Sequence, residues 1–384
     1  MSIIHRQVPT RTRSGSLRVM KFRITKEQFL DALQQVQHVV SSRNTLPILS
    51  NVLIEASESG LRLTTTDLDV GVSGQTEAEV LEPGQTTLPV RRLASIIREL
   101  PATEIEVSVD AAHVASIRSG PSFFKIIGLA ASEFPPLADF KGAKRYEMPQ
   151  EMVQDGLKKT SYAISNDETR YVLNGIFTSF KEGKLTLVAT DGRRLAMVEN
   201  ELNFPADQEV EFIVPTKAVQ ELQRMLTGEG TLVLLINDNQ IRFEIGKSLI
   251  VSKLIEGNYP NYRQVIPGEA KQRLSMGREK LLETVRRVAL LSSDKSNSVK
   301  LSFSDNELGV TANSPDIGEA QETVEVKYSG EQFSIAFNPD FLQAPLKALG
   351  DEEVHLDLID EMSPGVLRTD DSFLYVLMPM RVTG

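Results

Sequence analysis

The sequence predicts an α+β protein of three similar domains in tandem, each with two helices on antiparallel sheets. Three observations predict this fold class: a strand followed by a helix occurs three times, a proline recurs at the start of a second helix, and an apolar strand closes each repeat. The prolines are Pro89, Pro215 and Pro339, which lie 126 and 124 residues apart. This period is far longer than the roughly 20 to 50 residues of a solenoid repeat.

The first strand of each repeat alternates polar and apolar residues, which is typical of a half-buried strand. The three strands are Lys21-Phe22-Arg23-Ile24, Arg145-Tyr146-Glu147-Met148 and Arg273-Leu274-Ser275-Met276. Apolar residues at helical spacing follow each of them, so we predict two helices in each repeat. The predicted helices span residues 25–43, 90–100, 149–165, 215–226, 277–295 and 338–350.

Two linkers of similar composition separate the repeats. They are Phe134-Pro135-Pro136 and Tyr259-Pro260-Asn261, which lie 125 residues apart. The segment before Met20 contains four arginines and no acidic residue, and we expect it to be a disordered tail. The predicted organisation is therefore a basic tail and three domains, at residues 1–19, 20–140, 145–262 and 271–384.

Composition excludes several classes of site. The 384 residues include no cysteine, so disulfides and thiolate metal sites are excluded. No apolar run reaches the roughly 18 residues that a membrane-spanning helix requires, and the tail lacks the apolar stretch of a signal peptide. We therefore expect a cytoplasmic protein with no membrane association.

Charge is distributed unevenly along the chain. The net charge of −10 argues against nucleic-acid binding if it is spread evenly. Within the six predicted helices, however, the net charge is +5, and the remaining residues carry −15. Helices tolerate Lys and Arg well, which explains part of this difference. If the helices share one face, that face is able to meet phosphates.

If the helices surround DNA, their packing distance sets the bore of the ring that they form. Packed helices lie about 10 Å apart, so a circle of six leaves a bore of roughly 9 Å once a helix thickness of about 10 Å is subtracted. Twelve helices leave roughly 28 Å by the same spacing. Duplex DNA is about 20 Å wide. Under this condition one chain cannot close a ring and two chains can.

The sequence contains no complete catalytic or metal-binding pattern. The histidines are His5, His38, His113 and His355, and no two have the spacing of metal ligands. Gly246-Lys247-Ser248 resembles the end of a phosphate-binding loop but lacks the glycine five residues earlier. No Ser–His–Asp set or catalytic carboxylate pair is identifiable. We expect no catalytic residue, no metal and no cofactor.

Four segments carry a resemblance to a known family. They are Thr45-Leu46-Pro47-Ile48-Leu49-Ser50-Asn51, Ala189-Thr190-Asp191-Gly192-Arg193-Arg194-Leu195-Ala196, Gly257-Asn258-Tyr259-Pro260-Asn261-Tyr262 and Tyr375-Val376-Leu377-Met378-Pro379-Met380-Arg381. In this order within a triple repeat, they resemble the β subunits of bacterial DNA polymerase III, the sliding clamps. The resemblance covers essentially residues 20–384.

The resemblance implies the DNA clamp fold, in which one chain forms half of a six-domain ring. The ring is a head-to-tail homodimer that encircles duplex DNA without sequence preference and confers processivity on the replicative polymerase without being an enzyme. The implied partners are the polymerase α subunit, the clamp loader, translesion polymerases, mismatch-repair proteins and ligase, which bind through short linear motifs. The implied location is the nucleoid at replication forks.

The resemblance also implies a hydrophobic peptide-binding cleft between the second and third domains. Its residues are Leu173, Thr190, Gly192, Arg194, Leu195, Pro260, Val265, Val376, Leu377, Met378, Pro379, Met380 and Arg381. Aliphatic and Met side chains suit a pocket that accepts several related peptides. Leu173, Leu195 and Val376 also fit a role in the core, and Asp191-Gly192 also fits a hairpin turn.

Two further sets follow from the resemblance. The expected DNA-binding residues are Arg43, Arg170 and Tyr171. The expected subunit joint places Phe124 and Ile126 of the first domain against Leu290 and Leu291 of the third domain of the other subunit.

Two other functions stay open at this point. One is a peptide-binding scaffold of three domains that never encircles DNA. The other is a β-rich enzyme with its active site between domains, which requires a polar cluster that converges on one pocket. Retention on circular DNA distinguishes the clamp from the scaffold.

Overall fold

The computed structural model describes residues 18–41, 46–101, 104–292 and 297–380. The chain divides into two compact units, one with residues up to 137 together with 247–249, and one with residues 138–246 and 250–384. The first unit holds the first predicted repeat and the second unit holds the other two. Within the described residues, no helix is both long and apolar enough to cross a membrane.

The first repeat contains two antiparallel sheets and two helices. Its sheets have the strand orders β5-β1-β7-β8-β9 and β4-β3-β2-β6. The strands and helices, in chain order, are β1 (Arg18–Thr25), α1 (Lys26–Gln37), β2 (Asn51–Ser57), β3 (Gly60–Thr66), β4 (Val70–Thr76), β5 (Glu79–Glu82), β6 (Gly84–Pro89), α2 (Val90–Glu99), β7 (Glu104–Asp110), β8 (Val114–Ser119) and β9 (Ser122–Ile127).

The second repeat has the same order of elements. Its sheets contain β10-β15-β16-β17 and β14-β11-β12-β13. The elements are β10 (Lys144–Pro149), α3 (Gln150–Thr160), β11 (Gly175–Lys181), β12 (Lys184–Thr190), β13 (Arg194–Glu201), β14 (Val210–Pro215), α4 (Thr216–Met225), β15 (Thr231–Ile236), β16 (Gln240–Ile245) and β17 (Ser248–Lys253).

The third repeat completes the second unit. Its strands form the arrays β25-β24-β23-β18 and β21-β20-β19-β22. The elements are β18 (Gln272–Gly277), α5 (Arg278–Val288), β19 (Val299–Ser304), β20 (Glu307–Ser314), β21 (Gly318–Glu325), β22 (Phe333–Phe337), α6 (Pro339–Ala348), β23 (Glu353–Leu358), β24 (Gly365–Arg368) and β25 (Phe373–Leu377). The predicted α+β class with two helices in each repeat is confirmed.

Local signals set the helix starts. The Thr25 hydroxyl accepts a hydrogen bond from the Gln28 amide at the start of α1, and the Asn338 side chain accepts from the Asp340 amide at the start of α6. Pro339 is the first residue of α6, whereas Pro89 and Pro215 directly precede α2 and α4. Proline suits these positions because the missing amide has no partner within the helix.

Three predicted helices end earlier than expected. The first ends at Gln37, although Val39 and Val40 continue its apolar spacing and are both buried. The third and fifth pass into short 3₁₀ segments after Thr160 and Val288. Within the observed bounds, the six helices carry a net charge of +4, so the charge asymmetry predicted from sequence persists.

Several helical cations bind the end of the neighbouring helix in their own repeat. Lys26 Nζ donates to the Leu100 carbonyl at 2.6 Å, at the end of α2. Arg278 Nη1 donates to the Leu346 carbonyl at 2.9 Å, in the last turn of α6. The carbonyls at a helix end lack partners within the helix, so a cation stabilises them. Part of the positive charge counted in the sequence therefore holds helix pairs together.

Candidate functional site

An antiparallel strand pair joins the second and third repeats within the second unit. β13 pairs with β25, so that Leu195 lies opposite Val376 and Arg194 lies opposite Leu377. The Met378 amide then donates to the Arg193 carbonyl at 3.1 Å. The C-terminal strand therefore completes one eight-stranded sheet and brings residues 376–380 beside the turn before β13.

The floor of this junction is apolar and buried. Leu195 and Val376, each 2% exposed, belong to one core cluster with residues of β12, β13, β24 and β25. Leu173 is also buried. These three residues therefore have the core role that the sequence left open for them. A ligand in the cleft is able to contact them only from above, as the buried floor of the site.

The rim of the junction is exposed. Val265 is 42% exposed and Met378 is 39% exposed, and Pro260 is exposed as well. Pro379 and Met380 are half-buried, and the Met380 amide donates to the Ala336 carbonyl at 2.7 Å. Arg381 lies outside the described residues. Apolar groups that are exposed around a buried apolar floor mark an interaction site.

Aromatic residues of the linker cover one side of the floor. Tyr259, Tyr262 and Ile266 pack against the core cluster, and the Tyr259 ring stacks on Phe177 with centroids 5.1 Å apart. From sequence, Tyr259 and Tyr262 belong to a family motif, and neither is predicted to line the cleft. Their position near Pro260, a predicted cleft residue in the same motif, is the sequence signal that points to them.

A hydrogen-bonded turn shapes the other side. The Thr190 hydroxyl donates to the Arg194 carbonyl at 2.6 Å and accepts from the Gly192 amide at 3.1 Å. Asp191 Oδ1 accepts from the amides of Arg193 and Arg194. Gly192 has a φ of +85°, in the left-handed region that favours glycine. The turn predicted from Asp191-Gly192 is therefore present.

The first repeat contains the same turn with a different residue at its centre. Thr66 and Asp67 make the corresponding hydrogen bonds, to Val70 and to the Leu68 and Asp69 amides. Leu68 adopts a φ of 79° where the second repeat has glycine. The hydrogen bonds of the Thr66 and Asp67 side chains therefore form this turn without glycine at its centre.

Arg194 connects the two repeats through its guanidinium. Its Nη2 donates to the Tyr162 carbonyl at 2.6 Å, and its Nε lies 3.1 Å from Asp191 Oδ2. The guanidinium carbon lies 4.3 Å from the centroid of the Phe341 ring in α6, which is within the range of a cation–π contact. Sequence reasoning missed Tyr162 and Phe341 because neither is near Arg194 along the chain.

Buried tyrosines surround this arginine. Burial raises the pKa of Tyr162 and of Tyr375 well above the ordinary range, so both hydroxyls keep their protons. The Tyr375 hydroxyl donates to the Phe341 carbonyl at 2.9 Å. The arginine therefore lies among neutral groups and has Asp191 as its counter-ion.

Of the three residues predicted to bind DNA, the structure describes Arg170 and Tyr171, which lie beside the cleft. Arg43 falls outside the described residues. Arg170 Nε lies 2.9 Å from Asp167 Oδ2, and hydrogen bonds from Thr169 and Arg170 lower the pKa of that carboxyl. Tyr171 is 58% exposed. A phosphate contact at Arg170 would compete with the ion pair to Asp167.

The residues predicted for the subunit joint differ in exposure. Phe124 is exposed on β9, which is an edge strand, whereas Ile126 is only 7% exposed and points into its own repeat. Leu290 is 77% exposed. Leu291 is half-buried and lies near Gly318 at the start of the edge strand β21. Phe123 and Ile127 are also exposed on β9, although neither is among the residues predicted for the joint.

Among the described residues, the structure brings together Ser275, His355 and Asp370, a Ser–His–Asp set that is not identifiable from the sequence. Ser275 Oγ lies 2.7 Å from His355 Nδ1, and His355 Nε2 lies 3.0 Å from Asp370 Oδ1. In a serine-hydrolase triad the two ring nitrogens have the opposite partners. The Asp370 side chain is 95% exposed, so it does not hold an imidazolium in a water-excluded site. This geometry does not support a hydrolase.

We expect Arg194→Lys to lower the free energy of unfolding by about 1–2 kcal/mol, because lysine cannot make the carbonyl bond, the ion pair and the ring contact together. Arg193→Lys is the matched control, since that neighbouring side chain is exposed, and its effect should stay within about 0.5 kcal/mol. Urea denaturation followed by circular dichroism measures both. Equal stability of the two variants would contradict the linking role of Arg194.

Comparison with known proteins places this geometry in a family. Models of the N-terminal, central and C-terminal domains of the DNA polymerase III beta subunit match residues 20–138, 147–261 and 263–381 in that order. The beta sliding clamp of Chlamydia muridarum is 37% identical over 363 residues, which cover 94% of this chain and 99% of that protein. The beta sliding clamp of Escherichia coli K12 is 36% identical over 371 residues, 94% of this chain and all of that protein.

Solved structures agree with these matches. The chain is similar to a sliding clamp of Bartonella birtlesii bound to griselimycin, with a TM-score of 0.89 and 36% identity over 94% of this chain and 100% of that one. It is also similar to the DNA polymerase sliding clamp of Bacillus subtilis, with a TM-score of 0.91 and 29% identity over 95% of this chain and 100% of that one. Since three family domains follow one another along nearly the whole chain, this protein belongs to the DNA polymerase III beta subunit family.

Proposed function

We propose that two copies of this chain close into a ring around duplex DNA and that the junction of β13 and β25 binds short peptide motifs of replication proteins. As a member of its family, the chain is a sliding clamp, a non-catalytic processivity factor that binds DNA and polymerase. The observation that carries the residue-level proposal is the exposed apolar rim of Pro260, Val265 and Met378 around a buried floor.

The proposed ring closes through two unlike strand edges. β9 ends one sheet of the first repeat, and β21 ends one sheet of the third. An edge strand has unpaired backbone groups that accept a strand from another chain. Exposed apolar side chains lie at or beside these edges, Phe124 on β9 and Leu290 in the 3₁₀ segment that contacts β21. Joining β9 of each copy to β21 of the other yields a closed, head-to-tail dimer.

The proposed DNA contacts come from helical cations that do not cap a neighbouring helix. Arg98 and Lys347 are exposed in the last turns of α2 and α6, and Arg286 is exposed in the last turn of α5. Arg170 and Tyr171 complete the proposed set within the described residues. Because such side chains contact phosphates, the binding does not depend on base sequence.

The proposed peptide partners anchor two apolar side chains in the cleft. We propose the polymerase α subunit, the clamp loader, translesion polymerases, mismatch-repair proteins and ligase as partners, acting at replication forks on the nucleoid in the cytoplasm. An apolar pocket with flexible methionines at its rim adapts to several related peptides, which supports a shared site for these proteins.

We expect the dimer to have about twice the 42.6 kDa mass of the chain. Replacing Leu290 and Leu291 with Asp should open or split the ring, because carboxylates at the joint would lose their water. Met362→Asp is the matched control, since Met362 is 71% exposed and lies in the turn between β23 and β24. Light scattering at micromolar concentration measures both. A wild type that is only monomeric, or a double variant that remains dimeric, would contradict the proposed joint.

We expect weak, salt-sensitive and sequence-independent binding to short linear duplex, with long retention on circles because the link is topological. The test loads the protein onto nicked circular DNA with a clamp loader and then linearises the DNA. Release on linearisation supports the ring. Absence of retention on the circle would support the scaffold. Continued retention on linear DNA, or tight binding to one duplex sequence, would support a specific DNA-binding protein.

We expect replacement of Met378 and Met380 by Ala to abolish binding of a Gln-Leu-Ser-Leu-Phe-type peptide. Loss of one buried anchor contact typically costs about 2 kcal/mol, which is roughly a 30-fold weakening. Met362→Ala serves as the control. Titration of a labelled peptide measures the affinities, and light scattering checks the dimer. If the double variant binds the peptide as wild type does, the cleft assignment is wrong, and if it loses the dimer, the two methionines have a structural role.

A further inference from the structure

A polar groove lies next to the proposed cleft in the second repeat. It has a volume of about 680 Å³ and lies between linker residues 257–263 and one face of the sheet β14-β11-β12-β13. Tyr259 and Pro260 line the groove, and Pro260 is also part of the exposed rim of the cleft. The groove is therefore continuous with the proposed peptide site.

The floor of the groove is a row of polar residues across four strands. Ser179 lies opposite Glu211 on one side and opposite Thr186 on the other. Thr186 in turn lies opposite Glu199. The two central residues are buried, and their hydroxyls donate outward, Ser179 to Glu211 and Thr186 to Glu199, both at 3.3 Å. Two carboxylates therefore border a floor of hydroxyl groups.

The distance between cleft and groove follows from strand geometry. Leu195 of the cleft floor and Glu199 lie on the same face of β13, because side chains alternate along a strand. Four residues of a strand span about 13 Å. About four residues of an extended peptide cover the same distance.

The charge of the groove changes along its length. The row of Glu199 and Glu211 is nearer to the cleft, and the paired residues Lys181 and Lys184 lie one row farther, at the end of the β11–β12 hairpin. Arg263 Nη2 lies 3.5 Å from Glu199 Oε1, but its side chain is 66% exposed, so this pair is weak. A peptide that leaves the cleft therefore meets carboxylates first.

We propose that this groove binds a basic side chain of the partner peptide, placed about four residues outside the apolar anchors. The carboxylates of Glu199 and Glu211 receive the cation, and Ser179 and Thr186 orient them. This inference rests on the proposed peptide site and extends it. It predicts that partners differ in affinity according to the charge that flanks their anchors.

Peptide titrations test the proposal. The probes are a core Gln-Leu-Ser-Leu-Phe peptide and extended peptides with Arg or Gln four residues beyond the anchors, on either flank. With wild type at low salt, the Arg peptide of one flank should bind about two- to fivefold more tightly than its Gln counterpart. This advantage should diminish with added salt, because screening weakens partly exposed ion pairs.

Variants separate the groove from the cleft. The double variant Glu199→Gln, Glu211→Gln should lose the Arg advantage and bind the core peptide as wild type does. Its amide oxygens still accept the hydroxyl bonds, and circular dichroism checks the fold. Glu201→Gln is the matched control, since Glu201 lies on the same strand face and its side chain is 84% exposed; it should keep the advantage.

The outcomes distinguish the two proposals. Equal affinity of the Arg and Gln peptides for wild type, with normal binding of the core peptide, overturns the groove and leaves the cleft. An Arg advantage that survives in the double variant also overturns the groove. No binding of the core peptide overturns the proposed peptide site itself.

Discussion

The pairing of β13 with β25 is the interaction on which the second unit depends. It turns two separate four-stranded arrays into one sheet, and it places the last strand of the chain against the second repeat. Five successive residue pairs are in register, from Arg194 and Leu377 to Val198 and Phe373. The apolar cluster under this pairing combines residues of both repeats, so neither array has this core alone. The rim of the proposed cleft follows from it, because Met378 directly continues the paired strand.

The same junction explains why the proposed cleft is apolar. Backbone bonds to Arg193 and Ala336 fix the amides of Met378 and Met380, while the side chain of Met378 remains partly exposed. Arg194, beside the floor, is held by a carbonyl, a carboxylate and an aromatic ring. A rigid floor with flexible thioether side chains at the rim suits a site that accepts several peptides, since only the rim must adapt.

Charge has two separate roles in this fold. Lys26, Arg91 and Arg278 donate to carbonyls at or just beyond the ends of neighbouring helices and so contribute to packing. Other helical cations, such as Arg98, Arg286 and Lys347, are exposed to solvent. Only part of the positive charge on the helices is therefore available to contact phosphates, because the rest contributes to packing. A charge count from sequence cannot make this distinction, because it depends on which carbonyl lies within reach.

The sequence by itself determined the three repeats and the two helices in each, because these follow from local periodicity and from proline. It also predicted a set of cleft residues through the family resemblance. Only the tertiary structure decided which of those residues are floor and which are rim: Leu195 and Val376 are buried, whereas Val265 and Met378 are exposed. It also decided the partners of Arg194 and the row that joins Glu199 to Glu211, because strand register places residues together that are far apart along the chain.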